Sequence, residues 1–500
     1  MSHRFKRASA ATACVAAALV LVAACSSSSK PTAAASSTTP AASSAASTPS
    51  TPASAAPAST PAAAVSSPAA PVSSAAAAKP YAGQTVTIEA YSAVAEFDYY
   101  KTLMPAFTAQ TGIKVNYVQL PVDAMDQKIP LQLSAKDNGL DVFFTGSEKI
   151  TAFAGSGGAE PLDPYIADTT QTPASYNFTD IAPAVETACQ QDGKTYCIAT
   201  HTGGAVLYYN TKLFAAAGIS GPPQSPAELL TDAQKLTKGG VSGFCIRADK
   251  SQTLYDAFQL WNWFVPWNNA VTGTYFDKNW NFLIGSEPQA SNFGTFYRTL
   301  LKTAAPKGIA TYLVTNCLQD FQQGRVAMWQ DDSGTIPQVL DPTQSKVATD
   351  TAFAAMPCQA VNPDHCELVQ PFGIWMNSAS KHKQAAWQLI QFITSASTQK
   401  QAVAAKALLT PSRLSVLSDP ATTAVLPPSF ATALTYVLGH PDVALLPFID
   451  EGVAIIPPIS NGLSDLITTN TPVAKVMATM KSGVDTIMKS AGYPKPFPSS

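Results

Sequence analysis

The sequence predicts an α/β fold with a largely parallel sheet, and three observations support this prediction. The hydrophobic period between residues 81 and 500 keeps switching between two and 3.6, which is typical of alternating strands and helices. Residues 140–144 form a short, almost entirely apolar run, as expected for a strand buried on both faces of a sheet. A region of this length also exceeds what one hydrophobic core usually supports, so we expect two or more lobes.

The first elements of this region can be assigned in order. Alternating apolar residues at 86–90 predict a strand. Apolar residues at helical spacing across 97–107 predict a helix that stops at Gly112, and a second strand begins at residue 113. Ligands bind beyond the carboxyl ends of the strands in such sheets, so side chains at these ends are candidate ligand contacts. They are Tyr91, Glu96 and Thr145.

The N-terminus predicts export and lipid attachment. Residues 1–24 combine basic side chains with a short apolar run that ends in small residues, the pattern of a secretory signal peptide rather than a membrane span. Cys25 follows immediately, as in bacterial lipoproteins, and we expect it to carry the acyl chains that hold the protein to the membrane. The alternative is an ordinary signal peptide, cut near Ala24, that leaves Cys25 free.

The remainder of the chain divides by composition. Residues 25–80 comprise that cysteine and a stretch of almost only Ser, Ala, Pro and Thr, which predicts a disordered tether. The net charge of −2 argues against a nucleic-acid partner, which would require clustered Lys and Arg. No later apolar stretch is long enough to span a membrane. We therefore expect a soluble folded region outside the cytoplasm, lipid-anchored to a bacterial cell membrane.

Six cysteines lie in the folded region, and an exported location makes disulfides the default interpretation, although fifteen pairings are possible. A zinc site is the alternative, but His365 is the only histidine beside a cysteine and no CxxC spacing occurs. We expect neither a metal nor another cofactor. The shortest separations pair Cys189 with Cys197 and Cys358 with Cys366, and they leave Cys245 with Cys317.

Several motifs resemble one known family. Residues 111–115, 140–143, 207–214 and 321–328 look, in this order, like segments of family 1 extracellular solute-binding proteins, the capture subunits of ABC sugar importers. The resemblance implies a periplasmic-binding-protein-like fold, with two α/β lobes hinged about a ligand cleft. It also implies a monomer that works with an ABC permease and its ATPase.

A narrower resemblance concerns the ligand. Residues 243–247, 275–280, 327–331 and 341–348 are similar to the subgroup that binds sugar alcohols such as mannitol and sorbitol. That subgroup carries a tryptophan-rich stretch where this chain has residues 369–375, so the aromatic wall of the pocket has changed. Mannitol, sorbitol, a monosaccharide and a short oligosaccharide all stay open as ligands.

The resemblance further implies that each lobe is discontinuous in sequence. The chain would cross between the lobes near residues 199–205, 329–334 and 372–377. The predicted first lobe comprises residues 81–200 and 330–375, and the predicted second lobe comprises residues 201–329 and 376–500.

A sugar site needs flat aromatic faces to contact the C–H surfaces of the ligand. Trp263, Trp267 and Trp329 are candidates for this role, with core packing as the alternative for each of them. At the third predicted crossing, Gln370 and Phe372 complete the proposed wall.

The same site needs polar groups that hydrogen-bond hydroxyls, preferably charged ones. Asp331 is a candidate, with Asp332 as a close rival, and Arg413 matches the arginine after the family's Pro turn. A helix cap or a solvated turn would account equally well for either acid. His201 lies at the first predicted crossing, where a hydrogen-bonded structural histidine is the alternative.

Two other classes of function compete with ligand capture. Asp331 and Asp332 could serve a glycosidase, but adjacent carboxyl groups rarely flank one bond, and the folded region has no motif for a nucleophile, a metal or a nucleotide. A surface adhesion lipoprotein would fit the tether but leaves the two-lobe pattern unexplained. We therefore expect a binding protein, not an enzyme, that delivers a carbohydrate or sugar alcohol to an ABC importer.

Overall fold

Two sheets organise the part of the chain that the computed structural model describes, residues 79–92 and 94–497. Both belong to one compact unit, Ala76–Ser500. The predicted signal peptide, Cys25 and the tether up to residue 78 lie outside the described residues. The strands are, in chain order, β1 Thr85–Tyr91, β2 Lys114–Leu120, β3 Val142–Gly146, β4 Gln190–Gln191, β5 Lys194–Thr195, β6 Cys197–Ala199, β7 Ala205–Asn210, β8 Ser242–Cys245, β9 Val326–Asp332, β10 Thr351–Ala354, β11 Glu367–Leu368, β12 Phe372–Met376 and β13 Pro441–Asp442.

Helices connect these strands. The α-helices of the described residues are α1 Ala95–Thr111, α2 Val122–Ser134, α3 Ile150–Gly155, α4 Asp163–Ala167, α5 Pro183–Thr187, α6 Thr211–Ala217, α7 Pro226–Leu236, α8 Thr253–Trp261, α9 Gln289–Ala304, α10 Val314–Gln322, α11 Ile336–Leu340, α12 Lys383–Thr394, α13 Ala396–Ala404, α14 Leu414–Leu417, α15 Pro420–Val425, α16 Pro428–Gly439, α17 Ile456–Thr468 and α18 Val473–Ser490. Single 3₁₀ turns occur at Ser147–Lys149, Ala174–Tyr176, Phe178–Asp180, Ile309–Thr311 and Ser333–Thr335.

The first sheet has the strand order β2-β1-β3-β12-β6. Strand β1 pairs in parallel with β2 and β3, whereas β12 is antiparallel to β3 and β6. The predicted strand and helix at its start are confirmed as β1 and α1, and α1 buries Phe97 and Phe107. Helix α1 stops at Gly112, as predicted, because its φ of 75° places its N–H on the carbonyl of Thr108.

The second sheet has the order β10-β7-β9-β8. Strand β7 is antiparallel to both β9 and β10, and β8 is parallel to β9. In the register of β9 against β7, Asp331 is opposite Val206 and Asp332 is opposite Ala205. The last two residues of strand β9 are therefore adjacent acids at one edge of the second sheet.

The two lobes are discontinuous, but the predicted crossing near residues 329–334 is wrong, and the one near residues 372–377 leads into the first lobe rather than out of it. The first crossing lies between β6 and β7, where we expected it. Residues 330–354 stay in the second lobe, because β9 completes its ladder with β7 and β10 then pairs with the other edge of β7. The chain returns to the first sheet only at β12. It leaves again after α15, since α12 and α13 contact the first lobe and α16 packs on β10 and β7.

Three disulfides cross-link the folded region and confirm the predicted pairing. The Cys189–Cys197 and Cys358–Cys366 bonds each span eight positions of sequence and close local loops. The Cys245–Cys317 bond spans 72 positions and joins β8 to α10 across a Cα–Cα distance of 5.9 Å. Because a longer closed loop restricts the unfolded chain more, this bond stabilises the second lobe most.

Candidate functional site

A cleft of about 610 Å³ lies between the two lobes. On the first lobe it is lined by the turn after β1, one face of α2, residues 148–156 and residues 407–410. On the second lobe it is lined by residues 247–255 and by the turn that follows β9. The two lobes therefore both contribute strand ends and helix faces to one concave surface.

A buried acid and histidine face the cleft from the first lobe. Glu96, in the first turn of α1, and His201, in the crossing after β6, are joined by 2.6 Å between Glu96 Oε2 and His201 Nδ1. The ring of Phe372 lies 5.1 Å from the imidazole. Burial alone would lower the pKa of His201, but the Glu96 carboxylate outweighs it and the pKa is raised. His201 Nε2 is buried and no described residue hydrogen-bonds it, so this nitrogen keeps an unused hydrogen-bonding position.

A second polar cluster on the first lobe surrounds Asp126, on the cleft face of α2. The hydroxyl of Tyr91, at the end of β1, donates to Asp126 Oδ1 over 3.0 Å. Lys149 Nζ donates to the same carboxylate and, over 3.0 Å, to Thr145 Oγ1. Beside them, the buried Glu148 has a raised pKa because burial disfavours its charged form. Asp126 is thereby held in place as a hydroxyl acceptor at the cleft surface.

The second lobe contributes Arg247 to the cleft, and the buried Asp331 holds this arginine in place. Arg247 follows β8, and its Nε donates to both carboxylate oxygens of Asp331, over 3.0 and 3.1 Å. Its guanidinium carbon lies 4.5 Å from the centre of the Tyr255 ring. The Tyr255 hydroxyl donates to Asp332 Oδ2 over 2.9 Å, and the Gly334 N–H donates to Asp332 Oδ1 over 2.6 Å. Arg247, Tyr255 and Asp332 thus form one rigid, hydrogen-bonded wall.

The structure brings five of the predicted site residues to the cleft: Tyr91, Glu96, His201, Gln370 and Phe372. Thr145 lies just behind them, since its Oγ1 is 3.1 Å from the Tyr91 hydroxyl.

The three predicted tryptophans do not line the cleft. Trp263 is buried and donates from Nε1 to the carbonyl of Pro357 over 2.9 Å. Trp267 stacks on His365 at 3.9 Å between ring centres. Trp329 is fully buried against Tyr208, with ring centres 4.6 Å apart. Core packing, the alternative we gave for each tryptophan, accounts for Trp263 and Trp329, whereas Trp267 is half-buried.

The acid and the arginine chosen for hydroxyl recognition are also set back from the cleft. Asp331 is fully buried and anchors Arg247, while its rival Asp332 reaches the cleft. Arg413 is fully buried in the first lobe, where its Nε donates to the carbonyl of Thr394 over 2.6 Å and its Nη1 to that of Asn177 over 2.8 Å. Both side chains therefore support structure rather than line the cleft.

Our interpretation of the sequence missed Asp126, Arg247 and Tyr255 as cleft residues. Arg247 had a usable signal, because it follows β8 at the edge where the parallel strand β9 ends in Asp332. Asp126 and Tyr255 lie on helices, where spacing alone does not tell which polar side chain faces a cleft.

The described residues show neither a metal cluster nor a membrane-spanning helix. No group of three or more His, Cys, Asp or Glu side chains is arranged to hold a metal ion. None of the described helices is long and apolar enough to cross a membrane.

Known proteins are similar to this chain in sequence and in fold. A binding protein of Brucella abortus strain 2308 is 27% identical over 319 residues, which cover 62% of this chain and 71% of that protein. The mannitol-binding protein of Pseudomonas aeruginosa is 25% identical over 292 residues, 57% of this chain and 62% of that protein. An ABC transporter solute-binding protein from Agrobacterium vitis, solved with bound D-mannitol, superposes with a TM-score of 0.71 at 23% identity and covers 82% of this chain and 100% of its own.

The superposition confirms the predicted two-lobed fold, and the family assignment follows from the sequence. The family model for bacterial extracellular solute-binding proteins matches residues 91–400, more than half of the chain. The match confirms the resemblance that the motifs indicated. This chain therefore belongs to the bacterial extracellular solute-binding proteins, and it is a binding protein rather than an enzyme.

Proposed function

We propose that this protein captures a sugar or a sugar alcohol in the cleft between its lobes and delivers it to an ABC importer. The observation that carries the proposal is the convergence of hydroxyl-binding groups from both lobes on one cleft, with Asp126 and His201 on one side and Arg247 and Asp332 on the other. Aromatic faces needed for C–H contacts are present in Phe372 and in the Tyr255 ring. Ligand bound to both sides would hold the lobes together.

Most cations of the cleft are already neutralised within the chain, which favours a neutral ligand. An anionic ligand would need a cation that is not already neutralised. Of the cleft cations that the structure describes, Lys250 is the exception, since it donates to the Asn461 side chain over 2.8 Å rather than to a carboxylate. The others are already paired within the chain: His201 with Glu96, Lys149 with Asp126 and Arg247 with Asp331.

A sugar alcohol is the narrower proposal for the ligand. The relative from Pseudomonas aeruginosa is named a mannitol-binding protein, and the solved protein from Agrobacterium vitis holds D-mannitol. Motifs of this chain resemble the same subgroup. The proposal therefore places linear polyols ahead of ring sugars.

A ligand screen tests this proposal. We would follow thermal unfolding of the chain, without its signal peptide and Cys25, in the presence of polyols, monosaccharides and disaccharides. A ligand at a hundred times its dissociation constant stabilises the fold by about 2.7 kcal/mol. We expect stabilisation by sorbitol or mannitol and none by gluconate, which differs from sorbitol by carrying a carboxylate. Stabilisation by ring sugars alone would remove the polyol proposal, and no stabilisation by any carbohydrate would remove the proposed function.

Membrane anchoring through Cys25 is a separate part of the proposal, supported by the signal-like residues before it and the tether after it. We expect a bacterial host to attach labelled fatty acid to the wild-type chain and to release Cys25→Ser into the medium. Equal labelling of both chains, or labelling of neither, would contradict the anchor.

A further inference from the structure

Apolar side chains from both lobes line the cleft in addition to the polar groups described above, and we call this set the apolar section. Three of its side chains come from the first lobe and three from the second. It comprises Pro130 and Leu133 of α2, Phe153 of α3, Leu318 of α10, Val453 before α17 and Ile456 at the start of α17.

Helix α2 gives the distance between the apolar section and the polar groups, because it carries residues of both. Asp126 and Leu133 both face the cleft from this helix, and seven residues separate them. At 1.5 Å of rise per residue, Leu133 lies about 10 Å along the helix from Asp126. A ligand held by Asp126 reaches the apolar section only if it extends over that length.

One strongly exposed apolar side chain belongs to this section. Of the described residues, four large hydrophobic ones stand out by exposure, and Val453, at 47%, lines the cleft. The other three, Leu131 at 70%, Val361 at 39% and Leu414 at 46%, do not line this cleft. A ligand group that covers Val453 would remove its apolar surface from water.

The chemistry of the apolar section excludes a hydroxyl-rich occupant. A hydroxyl that leaves water for a site lined by side chains such as Leu133, Phe153 and Leu318 loses its hydrogen bonds there. An alkyl or aryl group gains free energy in the same position, because its surface leaves water. The polar groups and the apolar section line one continuous cavity, so a single ligand can occupy both.

We propose that the ligand is amphiphilic: a sugar or polyol head bound by the polar groups, carrying an alkyl or aryl substituent that occupies the apolar section. This inference rests on the proposed function and narrows its ligand class to carbohydrates with an apolar substituent. The rival occupant of the apolar section is the opposite lobe itself, if the two sides pack on each other when the cleft closes.

Matched alkyl derivatives test the inference. The probes are D-sorbitol and D-glucose, each carrying a methyl or a hexyl ether at one terminal or anomeric oxygen, and calorimetry gives their dissociation constants. A fully buried methylene contributes at most about fourfold in affinity. We expect the hexyl derivative of at least one head group to bind at least tenfold tighter than its methyl derivative.

A pair of variants locates the effect. Val453→Ser is expected to remove most of the gain in affinity that the hexyl derivative has over the methyl derivative. Val361→Ser makes the same change at a similarly exposed valine outside the cleft and is expected to keep the full gain. Thermal unfolding of both variants checks that each is folded.

The outcomes separate this inference from the proposed function. Equal or weaker binding of the hexyl derivatives, with the parent sugars bound, overturns the inference and leaves the proposed function standing, and weaker binding is the result expected if the lobes pack on each other there. A hexyl gain that survives Val453→Ser overturns the assignment to the apolar section. Absence of binding by every derivative overturns the inference and counts against the proposed function as well.

Discussion

The two sides of the cleft carry similar charges but hold them in different ways. On the first lobe, the buried Glu96–His201 pair leaves one ring nitrogen without a partner. On the second lobe, Arg247 is bound to both oxygens of the fully buried Asp331. A guanidinium keeps its charge at any ordinary pH, whereas a histidine titrates near neutrality. We therefore expect the second-lobe pair to contribute more to structural stability, and the first-lobe pair to make ligand binding depend on pH.

The largest expected effect comes from breaking the second-lobe pair. Asp331→Ala leaves Arg247 without its buried partner and is expected to lower the free energy of unfolding by about 3 kcal/mol. Urea unfolding measures this loss. The control is Asp485→Ala, which removes an exposed i,i+4 pair with Lys481 and is expected to cost less than about 1 kcal/mol. Equal losses in the two variants would contradict a structural role for Asp331.

Asp332, the acid next to Asp331, is expected to affect ligand binding more than stability. Asp332→Asn keeps the size of the side chain but removes the charge that faces the cleft. We expect affinity for the ligand found in the screen to fall about tenfold, as for the loss of one charge-assisted hydrogen bond. Calorimetry measures this change, with the exposed Asp341→Asn as the control of unchanged affinity. A stability loss as large as that of Asp331→Ala would contradict the division of roles.

Asp442, a further buried acid of the second lobe, is expected to make the free energy of unfolding depend on pH. Asp442 is buried beside the cleft residue Leu445, and burial raises its pKa to about 7. The folded state then binds the proton more tightly than the unfolded state, so its contribution to stability falls as pH rises from about 4 to about 7. Asp442→Asn is expected to remove this fall and to be more stable than wild type by about 1 kcal/mol at pH 8. An unchanged pH profile of urea unfolding would contradict it.

The smallest expected effect is a pH dependence of ligand affinity that arises from the Glu96–His201 pair of the first lobe. The Glu96 carboxylate raises the pKa of His201, and Asp332 adds to this from the opposite lobe. Protonated His201 donates a charge-assisted hydrogen bond from Nε2, and the neutral ring, with its proton on the Glu96 side, does not. Affinity is therefore expected to fall about threefold as pH rises through this raised pKa. Calorimetry across pH 5 to 9 measures the fall.

Two variants test the cause of that fall. Glu96→Gln removes the carboxylate that raises the pKa, so the fall in affinity should move to lower pH. His201→Gln has no titrating group at this position and should bind with a flat profile. A wild-type fall that persists unchanged in His201→Gln would assign the pH response to another residue.

The sequence predicted those parts of the site that depend on strand ends. Tyr91 and Glu96 were found because β1 is a regular strand whose end can be read from its alternation, and parallel strands direct their ends to one edge. Two of the disulfides were predicted for a related reason, since residues eight positions apart can close a short loop, and these two pairs left Cys245 with Cys317. Local geometry decided the strand ends and the two short disulfides.

The remaining predictions failed where packing decides. Successive side chains of a strand point to opposite faces, so Asp331 and Asp332 could not both reach the cleft, and the sequence did not tell which one would. The apolar rings of Trp263 and Trp329 suit a core as well as a sugar site. Arg413 was misassigned because its hydrogen-bond acceptors are backbone carbonyls and its other partners, Asp180 and Tyr176, are more than 230 positions away in sequence.

The most direct test of the central claim, that one ligand binds to both sides of the cleft, is amide hydrogen exchange with and without the ligand found in the screen. Ligand should slow exchange on the first lobe at residues 91–97 and 201–203 and on the second lobe at residues 247–255 and 332–335. Protection at both sets is the result that this account predicts. Protection confined to one lobe, or located away from these segments, would contradict it.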